Sequence, residues 1–171
     1  QFAWGLRRAV SEAVGKAGGH EVQEGGGMTR SKRAAQWFIN HYPLLGSLAA
    51  SFQIIEEESI CRQMEIGVAA VDASKGEIYV NPAAGLDEEE LRFVLAHEFL
   101  HAGLGHQERC QGRDPELWNV ACDFVINGWL VEMEIGKMPE IGGLYDEKLK
   151  EKSAEEIYDL MVRDLRKYSR L

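Results

Sequence analysis

The stretch LRFVLAHEFLHAGLGH, residues 91–106, decides how the chain is read. Within it stand His97, Glu98 and His101 in the order His-Glu-x-x-His. On an α-helix, positions i and i+4 lie about 40° apart around the axis, so the two imidazoles can point at one ion. Glu98 falls roughly 60° further round on the same side. Two nitrogen ligands, an open position for water and a carboxylate beside that water are what a hydrolytic zinc site requires. The spacing matches the HExxH signature of zinc hydrolases. The bland reading is a pair of core histidines satisfied by backbone carbonyls.

Asp87 is a good N-cap and Glu90 three residues on completes a capping box, with Leu86 and Leu91 as a hydrophobic staple. Phe93, Leu100 and Leu104 share the azimuth of the histidines, which directs them inward. Gly103 and Gly105 loosen or end the helix before His106. Helical extrapolation puts His106 about 140° from His101, so it joins the site as an alternative or additional ligand only if the chain turns sharply at the glycines. A supporting or substrate-facing role is its other reading.

Asp114 and Pro115 are a cap and first-turn pair opening a helix that runs to about Glu132. Apolar residues occupy nearly every direction around it, which predicts burial. One polar row interrupts them: Asn119, Asp123 and Asn127, spaced i, i+4, i+8. A buried carboxylate must be paired or bind metal, so Asp123 is the expected third ligand. Asn119 and Asn127 are then expected to fix ligand geometry by hydrogen bonding. The alternative is that this row is a solvated helix face.

The chain has 171 residues and a net charge of −9. That length fits one core. The charge argues against nucleic acid or an anionic membrane surface as the main partner. No apolar run reaches the roughly 18 residues of a spanning helix, and no secretory leader opens the chain, so a soluble protein is expected. Cys61, Cys110 and Cys122 are three thiols without CxxC spacing, which fits reduced thiols and a cytoplasmic setting. Cys122 reads as a small buried hydrophobe.

Residues 1–14 have a short helical period and residues 15–27 carry six glycines, so 1–27 is read as an arm and linker ahead of a compact domain over 28–171. Residues 31–42 (SKRAAQWFINHY) are expected to form a helix capped by Ser31, with Ala35, Phe38, Ile39 and Tyr42 as its apolar stripe. A short helical turn over 44–50 and a strand over 51–55 follow. Strands over 66–72 and 77–81 flank a four-residue hairpin loop. The second of these leads into the histidine helix and is either an edge strand that pairs with an extended peptide or an internal hairpin strand. Residues 136–144 read as a loop followed by Tyr145, a candidate oxyanion donor or a packing residue. The last helix starts at Ser153, with Glu156 completing a capping box and Ile157, Leu160, Met161 and Leu165 buried.

The run NPAAGLDEEELRFVLAHEFLHAGLGHQERCQGRDPELWNVACDFVIN, with AAVDASKGEIYVNP before it and GGLYDEKLKEKSAEEIYDLM after it, resembles the zincin-like putative metallopeptidase domain of bacteria and archaea that usually precedes a von Willebrand factor A-like domain. The resemblance covers roughly residues 28–161. It implies an α+β, zincin-like fold: a small, mostly antiparallel or mixed sheet on an active-site helix and further helices. It also implies a cytoplasmic zinc metallopeptidase acting on peptide or protein substrates, with Glu98 as base and a von Willebrand factor A-like domain as neighbour or partner. The second domain's Asp-x-Ser-x-Ser motif is not met here, since Asp72-Ala73-Ser74 lacks the second serine. Either that domain lies beyond this sequence or the domain stands alone. Four residues, 102–105, separate His101 from His106, where metzincins place five, and Asp123 stands where gluzincins use a glutamate. A His97, His101, Asp123 site holding Zn²⁺ is the expectation. The rival function is a metal-stabilised binding or sensor module without catalysis.

Overall fold

The computed structural model describes residues 27–140 and 144–168. The expected arm therefore lies outside the described residues, apart from Gly27, as does the centre of the 136–144 loop. Seven helices and a three-stranded sheet make up the described part, a mixed α+β arrangement.

Helix α1 (Arg30–His41) is capped two residues earlier than expected, by Thr29 rather than Ser31: the Thr29 hydroxyl accepts from the Lys32 amide. Ser31 is instead fully buried inside the first turn. Phe38 enters the core, while Ile39, expected in the apolar stripe, is 44% exposed. Pro43 sits at the first position of α2 (Pro43–Ser51), where its missing N–H costs nothing. Close packing of α1 and α2 depends on Gly46: a Cβ there would lie 2.7 Å from the Ile39 Cα.

Strands β1 (Gln53–Ile55), β2 (Ala69–Asp72) and β3 (Glu77–Val80) form a sheet of order β1-β3-β2. The pair β2/β3 is the expected antiparallel hairpin, and β1 runs parallel to β3. The second strand of the hairpin, β3, is thus internal, and the edges belong to β1 and β2. The run Ile78-Tyr79-Val80, buried throughout, suits a central strand covered on both faces. Helix α3 (Glu58–Gln63), which was not anticipated, covers one face through Cys61, packed with Ile66, Ala70 and Tyr79.

On the other face lies α4 (Glu88–Gly103), surrounded by α1, α2, β2 and α6. Residues 93–100 are buried without a break, so this helix is the axis of the fold. The Asp87/Glu90 capping box starts it, with both reciprocal bonds formed at 2.8 and 3.2 Å. Gly136, with φ of +62°, lies directly over its first turns, where a Cβ would come within 2.4 Å of the Glu89 carbonyl oxygen. Helix α5 (His106–Arg109) is a single turn, α6 (Pro115–Glu132) packs along α4, and α7 (Ala154–Tyr168) closes over α6 with the expected Ser153/Glu156 box. Burial of α6 is not uniform: Trp129 is 42% exposed. In α7 the stripe ends early, and Leu165 is exposed.

Candidate metal centre

Helix α4 carries His97 and His101 one turn apart, and α6 brings Asp123 across to them. His97 Nε2 lies 2.9 Å from Asp123 Oδ1, His101 Nε2 lies 2.8 Å from the same oxygen, and the two Nε2 atoms are 2.9 Å apart. These three atoms form a nearly equilateral triangle. His97 and Asp123 are buried, and His101 is open on one side. Donor atoms on a tetrahedral zinc with bonds of about 2.05 Å sit about 3.3 Å apart, so a few tenths of an ångström of outward movement would accommodate one small ion.

The proton inventory argues the same way. Asn127 Nδ2 donates to the Leu144 carbonyl at 2.9 Å, which turns Asn127 Oδ1 toward His97. That oxygen is 2.7 Å from His97 Nδ1 and accepts its N–H. In the neutral ring, the Nε2 lone pair then faces the triangle. His101 Nε2 faces it too, from a ring whose Nδ1 is 3.1 Å from His106 Nδ1. Two lone pairs and a carboxylate oxygen converging at such distances repel one another unless a cation lies among them, a proton or a metal. Burial opposes charge on His97, but the hydrogen bond and negative charge of Asp123 outweigh it and hold the His97 pKa above its usual value. Burial likewise works against ionised Asp123, and the bonds from His101 and His97 overcome it, holding that carboxyl below the usual range. The site thus favours cation plus carboxylate. Among the described residues, His97, His101 and Asp123 are the group of His, Cys, Asp or Glu side chains whose ligand atoms converge closely enough to hold a metal.

Asn127 stands where the sequence pattern expected a geometry-fixing amide. Asn119, two turns earlier on α6, makes no hydrogen bond to the three donors among the described residues and instead lines a pocket beside them. His106 is brought close by the sharp turn the glycines allow, with Gly105 in the left-handed region at φ +61°. Its Nδ1 reaches the rear nitrogen of His101, while its carbonyl accepts from Trp118 Nε1 at 2.6 Å. It therefore backs the triangle from behind His101. Tyr145 is 44% exposed and Cys122 fully buried beside Trp118 and Cys110.

The pocket opens on the His101 side. Glu98 and His101 line it from α4, and Ala70 and Val71 from β2. Gln107 and Asn119 line it from α5 and α6. Glu98 is 3% exposed and lines the same pocket as His101. The β2 and Gln107 contributions were not legible in the sequence, since they depend on how the strand edge and α5 are set against α4.

A buried His-His-Asp cluster, with a glutamate beside it and a pocket leading in, defines a candidate metal-dependent hydrolytic centre. The chain belongs to the family described as "Putative metallopeptidase domain", whose model matches residues 27–168. Comparison with curated proteins and with solved structures returns no match. Among the described residues, no helix is long and apolar enough to cross a membrane.

Proposed function

We propose that the protein is a zinc-dependent metallopeptidase of zincin-like design, with His97, His101 and Asp123 as metal ligands and Glu98 as general base. The convergence of two histidine nitrogens and one carboxylate oxygen beside a pocket that Glu98 lines carries this reading. A Zn²⁺ ion held there supplies Lewis acidity that polarises a carbonyl and brings the pKa of water toward about 7. Asn127 holds the His97 tautomer that leaves Nε2 available, and His106 does the same for His101 from behind. Glu98 takes a proton from the attacking water and returns it to the leaving amine as the peptide C–N bond breaks.

Substrate enters along β2. The bond from the Asn81 amide to the Val68 carbonyl sets the hairpin phase, so Ala70 and Asp72 turn their backbone groups toward β3 while Ala69 and Val71 turn theirs to the outer edge. An extended peptide pairs there without its sequence being read closely. The family resemblance adds a cytoplasmic setting and a von Willebrand factor A-like domain as neighbour.

The test is cleavage of a mixed peptide library by zinc-loaded wild type beside Glu98→Gln, read by mass spectrometry. The variant is expected to keep one zinc and to lose about 10²–10⁴-fold in rate. Equal cleavage by both proteins would remove Glu98 from its role. No cleavage by either, with zinc bound one to one, would favour a metal-stabilised binding module.

A further inference from the structure

Asn119 is 8% exposed, and its carboxamide makes no hydrogen bond to protein among the described residues. A buried amide without partners costs free energy, and native structures leave few of them. Its polar atoms are not sealed in, because the side chain lines the pocket with Glu98 and His101. Ala70 and Val71 of β2 line the same pocket. A peptide laid against β2 bonds to it through alternate residues only. The backbone groups of the residues between point the other way, toward the α6 wall. There they need a donor and an acceptor, which are the two things a carboxamide offers.

We propose that Asn119 is a substrate-binding residue whose carboxamide takes the backbone N–H and C=O of the extended peptide on the side away from β2. This rests on the peptidase reading of the same site and names the group that closes the second edge of the bound strand. Asn119 thus differs from Asn127, two turns on, which is committed to His97 and Leu144.

The experiment measures binding to the zinc-loaded protein, with no turnover required. The probes are acetohydroxamate, which offers a metal-chelating group alone, and two blocked dialanyl hydroxamates extended on either side of that group. Asn119→Ala is expected to leave zinc affinity and acetohydroxamate affinity within about twofold while weakening at least one dialanyl probe about tenfold, the scale of one or two lost hydrogen bonds. Asn119→Asp, nearly isosteric but without the N–H donors, gives the same selective loss and covers the case in which the alanine variant folds poorly. Equal losses for all three probes, or a fall in zinc affinity, would make Asn119 a ligand-positioning residue and overturn the proposal. So would unchanged binding of every probe, or wild-type protein that gains nothing from the dialanyl extensions. A selective loss together with an uncut peptide library would sink the peptidase reading and leave the peptide clamp standing. Library cleavage without a selective loss would do the reverse.

Discussion

Replacing Asn127 by alanine removes the hydrogen bond that orients His97, the proposed metal ligand. The wild-type amide accepts from His97 Nδ1 at 2.7 Å and donates to the Leu144 carbonyl at 2.9 Å. Once His97 Nε2 holds a metal, its Nδ1 must keep a proton, and in the variant that proton is buried with its acceptor removed. An unsatisfied buried donor costs about 1–3 kcal/mol. In the metal-free protein the ring can release that proton or exchange tautomers, so most of the cost falls on the metal-bound state. At about 1.4 kcal/mol per decade, this corresponds to a loss in zinc affinity of roughly 10–100-fold. Asn127→Asp keeps the acceptor and strengthens it, so it should bind zinc at least as well as wild type while melting lower without metal, where the added buried carboxylate faces the Leu144 carbonyl it can no longer donate to. Competition against a chromophoric chelator gives the affinities, and urea melts in excess chelator give the metal-free stabilities. Zinc affinity within twofold of wild type in Asn127→Ala would show that the His97 tautomer is not held by this bond.

Other perturbations have equally definite signs. Gly136→Ala places a Cβ in a left-handed conformation and 2.4 Å from the Glu89 carbonyl oxygen, so it should destabilise the protein by about 2–5 kcal/mol, read as a lower urea midpoint. Gly128→Ala, in the interior of α6 with open space at its Cβ, should instead stabilise by about 0.5–1 kcal/mol, and a loss there would mean the helix face is covered. His97 has a raised pKa, so its contribution to metal-free stability is full below about pH 6.5 and fades as pH climbs through the folded-state value. Asp123 has a lowered one, so its contribution holds above about pH 3.9 and fades as pH falls through the folded-state value. Metal must displace the His97 proton, so the melting gap between zinc-saturated and chelator-treated protein should widen from pH 5.5 to 8; a constant gap would contradict the assigned protonation.

The sequence made α4 and α6 legible because each is written locally. Asp87 and Glu90 specify a start, the histidine spacing specifies a face, and Asp114-Pro115 specifies a second start. Asp123 was legible as a ligand candidate because burial of an unpaired carboxylate is too costly to be accidental. Strand order was not written that way. A strand pattern over residues 77–80 cannot say which neighbour lies on each side, and the unbroken apolar run Ile78-Tyr79-Val80 was the available hint that β3 is central. Helix α3 escaped because six residues with one fully buried side chain, Cys61, give little periodicity to read. Ser31 is the stronger cap by chemistry, but it is buried inside the first turn and Thr29 takes the role.

His106 shows most directly how local rules and tertiary packing divide the work. Continued as a helix, the chain would carry it away from the site. Gly105 breaks that continuation with a left-handed residue, and α5 restarts at a new angle. The imidazole is then enclosed between His101 and Trp118, its ring 6.2 Å from the Trp118 ring centre. Its carbonyl accepts from Trp118 Nε1, so a residue of α6 holds the turn that holds the rear of a histidine on α4. Asp123 lies five residues further along that same α6. The two helices that supply the donor triangle are therefore tied a second time behind it, and a shift of α6 that moved Asp123 would also move the support of His101. Such coupling lets a three-atom site keep its shape with its donors on separate elements.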